Sequence, residues 1–431
     1  MIADNISRGP DGTLRFAGQD VTALAQEYST PLYLMDAERI RANCRMYRRA
    51  FREHFGQDDG VLYAGKACAF KEIYRIVASE GMELDAVSIG EIHTALEAGF
   101  PPAQIYFHGD AKTDADIRYG LDHGVGCFVA DNPEELSALA GEAQRRGVRQ
   151  KVLLRVTPGI DPHTYEAVNT GTVDVKFGVP IETGQADKFV REALGLSSLE
   201  VAGLHCHVGS AVFDEDVFER TVDVMVEFMA HLRDTLGFVA RELDLGGGYG
   251  VRYVDTDPAA DIPARIGEVA AYLKARLREA SLPLPRVLME PGRSIVADAG
   301  MTVYTVSTVK RIPGFKSYAI VDGGMADDPR YALYGARYTV LHATREGGPA
   351  ERFDLAGRAC ESGDILQPNV TLPADTHRGD IVCVCTTGAY NYSMASNYNR
   401  LGRPPVVMLA DGTARVVVRR ETPEDLCALD I

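Results

Sequence analysis

The chain has 431 residues, 46% of them hydrophobic and 25% charged, with a formal net charge of −16. That composition excludes a disordered chain, and its acidity argues against a nucleic-acid partner, because phosphate backbones are bound by basic surfaces. No apolar stretch approaches the ~20 residues of a membrane span, and the opening MIADNISRGPDGTLRF lacks the basic and apolar blocks of a signal peptide. A cytoplasmic protein without a membrane partner is expected.

In chain order, residues 1 to about 36 hold one short strand-like run, TLRFAG. Between residues 60 and 292, eight β-rich runs alternate with helical segments: VLYAGKA from Val61, ELDAVS from Glu83, IYFHG from Ile105, GCFVAD from Gly126, KVLLRVTP from Lys151, VAGLHCHVG from Val201, ELDLGGG from Glu242 and RVLMEPG from Arg286. The segments between them read as helices over Lys71 to Glu80, Glu91 to Gly99, Asp114 to His123, Pro133 to Arg146, Glu182 to Leu196, Asp214 to Thr235 and Pro263 to Ala280. Repeated βα units around a parallel sheet, eight in number, predict an α/β chain built on a (β/α)₈ TIM barrel.

After residue 295 the texture changes to β-branched runs without long helices: MTVYTVSTVKRI, KSYAIVDGG, RGDIVCVCTT and PPVVMLADGTARVVVRR, the last a hairpin turning at Asp411 and Gly412. The expected organisation is a barrel over residues 37–294 and a β domain from residues 1–36 and 295–431. The cysteines at positions 44, 68, 127, 206, 360, 383, 385 and 427 form no CxxC pair and read as reduced thiols. Cys383 and Cys385 alternate with Val382 and Val384, so they read as packed strand residues, and no metal site is expected.

Polar residues gather where the proposed strands end: Lys66, Ser88, His108, Arg155, His205, His207, the glycines Gly246 to Gly248, and Glu290. In a barrel those ends share one face, where active sites are built. Lys66 reads either as a snorkelling side chain or as a Schiff-base amine that condenses with an aldehyde. The glycines of LDLGGGYG let backbone N–H groups approach a phosphate, although glycine-rich turns are common without one. EPGRS, from Glu290, follows the next strand, and barrel phosphate sites commonly lie after the seventh and eighth strands. A carboxylate beside a phosphate needs a cation of its own. A protonated pyridine nitrogen supplies one, which with a reactive lysine and a phosphate cradle points to pyridoxal phosphate. His207 could stack on its ring and Ser210 could bond its phosphate; for either residue alone a core or loop role remains open.

With YAGKA, GLHCHVGS, LDLGGGYG, EPGRSIVADAG, VDGGM, ALYGA, ACESGD and GAYNYSMASNYN in this order, the chain resembles the alanine-racemase-fold, pyridoxal-phosphate-dependent decarboxylases, most closely their diaminopimelate decarboxylase branch. The resemblance covers nearly the whole chain. It implies a fold type III enzyme, with a barrel followed by a β domain, acting as a homodimer whose active sites are each completed by the partner chain. Lys66 then resembles the Schiff-base lysine, His207 the stacking residue and Glu290 the partner of the ring nitrogen. Ser210, Gly246, Gly247, Gly248, Gly292, Arg293 and Tyr390 match the phosphate shell. Arg293, Arg330, Tyr334, Glu361 and Tyr390 match contacts to an amino-acid substrate, and Cys360 matches the proton donor.

The implied reaction is decarboxylation of meso-diaminopimelate to L-lysine and carbon dioxide. The chain departs from the family pattern at Cys68, Tyr165, Ala211, Tyr331 and Tyr338, which keeps same-fold decarboxylases of ornithine, lysine, arginine, a carboxylated polyamine or a carrier-bound amino acid as alternatives. A racemase is disfavoured, since that branch pairs the ring nitrogen with arginine. A non-catalytic cofactor-binding regulator is disfavoured by the presence of Lys66, Glu290 and Cys360 together.

Overall fold

The computed structural model describes every residue except Asp58 and residues 161–173 and 211–215. The chain divides into two compact units: Asn43–Gly250 with Ala260–Gly292, and Met1–Ala42 with Val251–Ala259 and Arg293–Ile431.

The first unit is a closed barrel. Its strands, Leu62–Ala64, Glu83–Ala86, Ile105–Phe107, Cys127–Ala130, Gln150–Thr157, Leu199–His205, Glu242–Asp244 and Arg286–Leu288, pair in parallel in chain order. A parallel bridge between Val61 and Met289 joins the eighth strand to the first, with Leu62 N–H donating to the Met289 carbonyl at 2.8 Å. All eight expected strands are present.

The helices fall close to their expected limits. Pro133–Arg146 matches at both ends; Asn132 caps it with its side chain on the Glu135 N–H, and Gly147 closes it in the left-handed conformation. The segment expected to begin at Asp214 is helical over Asp216–Leu236, and Asp214 itself lies outside the described residues.

Side chains alternate between barrel interior and helix layer with the period of two that strands impose. The middle interior layer is apolar: Leu62, Tyr106, Cys127, Val129, Leu153, Ala202 and Leu288 pack together. Two residues toward the amino ends lie Glu83, Lys151, Glu242 and Arg286, joined by contacts of 2.6 Å from Lys151 to Glu242 and from Arg286 to Glu83. This ionic layer plugs the barrel floor. Toward the carboxyl ends the same alternation brings Asp85, His108, Arg155, His205, Asp244 and Glu290, all buried.

In the second unit the long strand Gly300–Arg311 takes part in two sheets. Its first half pairs with Leu32–Asp36 and Ile381–Cys385, its second half with Ser317–Val321. One core holds Leu32, Leu34, Met301, Val303, Cys383 and Cys385; the other holds Tyr304, Val306, Tyr338, Phe353, Val382 and Val384. Cys383 and Cys385 are therefore core residues. Val406–Ala410 and Thr413–Val418 form the expected hairpin, with Asp411 and Gly412 both at positive φ. Several strands went unrecognised in the sequence, among them Leu32–Asp36, Val340–His342, Ala350–Ala356 and Ile365–Pro373. In the last two the alternation is interrupted by Asp354 and by Pro368 and Asn369 at a register shift.

Candidate active site

Lys66 lies in a single 3-10 turn, Gly65–Ala67, that directly follows the first barrel strand. Its neighbours in the turn are buried while Lys66 itself is exposed, so the amine projects from the barrel mouth. Its charge pulls down the carboxyls of Asp85 and Glu91 and disfavours protonation of His207, which puts all three within its electrostatic reach. Burial pushes Glu91 up to about 7, although it accepts the Val87 N–H at 2.8 Å. Gly292 closes against this turn: a Cβ there would stand 3.0 Å from the Cβ atoms of Ala64 and Ala67.

The glycine loop packs against the two neighbouring strand ends. A Cβ on Gly247 would meet the Glu290 carbonyl oxygen at 2.2 Å, and one on Gly246, at φ +71°, would meet His207 Nδ1 at 2.5 Å. Only glycine fits at either position. The Gly247 N–H donates to His207 Nδ1 at 3.2 Å. Burial first, then the Lys66 charge, holds His207 well below its ordinary pKa, so its ring is neutral. Ser210 is half-buried beyond His207, at the edge of residues 211–215.

Glu290 lies below the mouth, faced by two imidazoles. His108 Nε2 is 2.9 Å and His205 Nε2 3.3 Å from Glu290 Oε1. Oε1 nonetheless has no aligned hydrogen-bond donor among the described residues. Burial raises the Glu290 carboxyl, but the two imidazoles outweigh it and hold the group well below the usual carboxylate range. These three donor atoms lie within 4.8 Å of one another, a spacing a cation could bridge. The carboxylate–imidazole pairing accounts for it without one.

In the second unit Arg293, Arg330, Tyr334 and Tyr390 gather with Tyr253 in a cluster of their own. Arg293 Nη1 donates to the Tyr253 hydroxyl at 2.8 Å, and its guanidinium lies 4.8 Å from the centre of the Tyr390 ring. Arg330 lies 5.4 Å from the same ring and 5.5 Å from that of Tyr334. Two guanidiniums thus share one aromatic side chain, an arrangement stabilised by the ring quadrupole and suited to anionic groups. Arg330 is buried, and its Nε has no hydrogen-bond partner among the described residues. Burial pushes the adjacent Asp328 carboxyl up to about 7 against the pull of Arg330.

Cys360 and Glu361 are exposed, and their described partners lie elsewhere: the Cys360 N–H donates to Asn399 at 2.7 Å, and Glu361 accepts from Gly363 at 3.0 Å. Ser88, grouped with the strand-end polar residues in the sequence, is instead a helix cap that accepts the Glu91 N–H. Among the departures from the family pattern, Cys68 is buried and Tyr331 half-buried, while Tyr338 stacks edge-on against Tyr253 at 5.2 Å. Tyr165 and Ala211 lie outside the described residues.

Four groups escaped sequence reasoning: Asp85, Glu91, Asp244 and Tyr253. The two aspartates were signalled by alternation, since each stands two residues after a glutamate of the barrel floor, Glu83 or Glu242.

The lining fits pyridoxal phosphate. Glu290 Oε1 is a buried acceptor with a site for a donor, the glycines form a cradle that a Cβ would fill, and Lys66 offers an exposed amine above both. Comparison with known proteins agrees. Residues 37–297 match the model of the pyridoxal-dependent decarboxylase pyridoxal-binding domain. Over 421 residues the chain is 39% identical to diaminopimelate decarboxylase of Bacillus subtilis, covering 97% of this chain and 95% of that one. Among solved structures, diaminopimelate decarboxylase from M. jannaschii with L-lysine superposes at a TM-score of 0.91 and 32% identity, over 99% and 98% of the two chains. The Helicobacter pylori enzyme with L-lysine gives 0.87 and 31%, over 95% and 99%.

Proposed function

Since the chain belongs to the pyridoxal-dependent decarboxylases, and within them to the diaminopimelate decarboxylases, we propose that it converts meso-diaminopimelate to L-lysine and carbon dioxide, the last step of lysine biosynthesis. The observation that carries this reading is the shared rim of the barrel: Lys66 is exposed at the mouth, Glu290 is held as an anion below it, and His207 feels the charge of both.

Pyridoxal phosphate, when bound, supplies a carbonyl that takes up the substrate amine and a ring that accepts the electron pair left by the departing carboxylate. Lys66 would hold the cofactor through its side-chain amine when no substrate is bound. Glu290 keeps a proton on the ring nitrogen, His207 covers the ring, and Gly246, Gly247, Gly248, Gly292, Ser210, Arg293 and Tyr390 hold the phosphate. Cys360 returns a proton to the carbon that lost the carboxylate.

Substrate selection is assigned to Arg330, Tyr334 and Glu361 together with Arg293 and Tyr390. Arg330 suits the carboxylate of the retained amino-acid centre, and Glu361 its ammonium. Lysine or ornithine would leave Arg330 unpaired, and a buried polar group left without its partner is how such sites reject analogues.

The proposal assigns cofactor binding to a barrel over residues 37–294 and the remaining contacts to the β domain of residues 1–36 and 295–431. The exposure of Cys360 and Glu361 supports a homodimer in which these residues complete the site of the other chain. We assign the enzyme to the cytoplasm, in keeping with eight cysteines that form no disulfide; no helix among the described residues is long and apolar enough to cross a membrane.

The deciding experiment is carbon dioxide release from a panel of meso-diaminopimelate, lysine, ornithine and arginine, with chiral analysis of the product. Release from diaminopimelate alone, yielding L-lysine, is expected. Preferential release from another member, or racemised product without carbon dioxide, would overturn the assignment.

A further inference from the structure

Three buried carboxyls share one layer below the barrel mouth: Asp85, Asp244 and Glu290. A low-dielectric interior disfavours ionising all three at once. Their donors decide which one carries charge.

Glu290 is faced by His108, just after the third strand, and by His205, at the end of the sixth. The Nε2 atoms lie 2.9 and 3.3 Å from Oε1, and His205 Nε2 also reaches Oε2 at 3.4 Å. Asp85 stands 3.9 Å from His108 Nε2, and its Oδ1 has no aligned donor. Asp244 accepts the Gly246 N–H at 2.8 Å with Oδ1, while its Oδ2 has none. Further titratable groups around the layer are Lys66 and Arg155, whose fields reach Asp85 and His207, Glu91, which interacts with Asp85 and His108, and His207, which interacts with Glu290 and His205. Of the three carboxyls, Glu290 alone has two imidazole nitrogens within 3.4 Å, His205 Nε2 bonded to Oε2 and His108 Nε2 close to Oε1 without hydrogen-bond alignment.

We propose that His108 and His205 are positioning residues that hold Glu290 as the anion of this layer, so that the ring nitrogen of bound pyridoxal phosphate stays protonated. The proposal rests on Glu290 being the partner of that nitrogen. Electrostatics agree with the geometry: burial and the Glu290 charge raise Asp85 and Asp244, whereas the imidazoles lower Glu290. Burial brings His205 down to about 4, so near neutral pH it acts as a neutral N–H donor and does not take the charge itself. The ring nitrogen would then meet a carboxylate whose negative charge persists across the working pH range. Electron withdrawal by the ring depends on that proton.

The test loads the protein with pyridoxal phosphate labelled with ¹⁵N in the ring and follows the ring nitrogen by NMR against pH. In the wild type it should remain protonated from about pH 6 to about pH 9. His108→Phe and His205→Phe should each lower its apparent pKa by about one unit or more. His108→Gln, whose amide N–H can point at the same oxygen, should restore most of the loss. Glu290→Gln serves as the control and should leave the nitrogen neutral throughout.

If Glu290→Gln shifts the signal and the imidazole variants do not, the positioning role is wrong while the ring-partner reading stands. If Glu290→Gln leaves the nitrogen protonated, the ring-partner reading itself fails. Each imidazole contacts the carboxylate separately, so either phenylalanine variant decides the matter should the other fail to fold.

Discussion

The Gly247 N–H donates to His207 Nδ1 at 3.2 Å, which makes Nδ1 the acceptor and leaves the ring proton on Nε2. The same glycine stands so close to the Glu290 carbonyl that no side chain fits between them. One residue therefore fixes the tautomer of the proposed stacking ring and the spacing of two strand ends.

Gly247→Ala would place its Cβ 2.2 Å from the Glu290 carbonyl oxygen, so the loop must move. A stability loss of about 1–3 kcal/mol is expected, as for overpacking elsewhere. Displacement of the cradle should also weaken cofactor binding about tenfold or more. A urea transition and a titration of apoprotein with pyridoxal phosphate measure the two effects; unchanged affinity would remove the loop from the cofactor site.

Lys66 provides the covalent test. Borohydride reduction of the cofactor-loaded protein should attach a pyridoxyl label to a single peptide containing Lys66. Lys66→Ala should remain unlabelled and lose about 10³-fold or more in kcat. A label recovered on another lysine would refute the assignment.

Arg330 is predicted to govern specificity. Arg330→Ala should lower kcat/KM for diaminopimelate by about 10²-fold or more, because a buried cation matched to a carboxylate is lost. Activity toward lysine should change far less. Wild-type efficiency on diaminopimelate in this variant would show that Arg330 does not bind the substrate carboxylate.

His205 predicts an acid-labile component of stability. Its pKa falls from an ordinary 6.5 to about 4 in the folded chain, chiefly through burial. Between those values the unfolded chain binds the extra proton, so stability rises with pH across the window and is lost as pH falls through it. The full shift corresponds to about 3 kcal/mol. The difference in urea-unfolding free energy between wild type and His205→Phe should therefore change between about pH 6.5 and about pH 4, with the wild type falling more steeply. Parallel curves would exclude His205 as the source.

Much of this architecture could be read from the chain because it is local. Eight β-rich runs with helices between them specify repeated βα units, and each helix carries its own stop and start signals, such as Asn132 and Gly147 around Pro133–Arg146. LDLGGGYG and EPGRS announce backbone that must pass close to something, and the close approach of Gly247 to Glu290 shows one reason. Ser88 shows the limit of this reading. A serine between strand and helix looks the same in sequence whether it lines a site or caps a helix.

What the chain by itself determined was the alternation of strands and helices, the lysine, the glycines and the carboxylate that such chemistry needs. Barrel closure decided the rest, because charge states depend on neighbours from distant strands. The sequence marked Glu290 as the candidate ring partner, but that it, rather than Asp85 or Asp244, carries the charge follows only from the approach of His108 and His205. Tyr253 likewise gains meaning only through Arg293 and Tyr338. Burial and pairing are properties of the packed layer, and no single strand carries them.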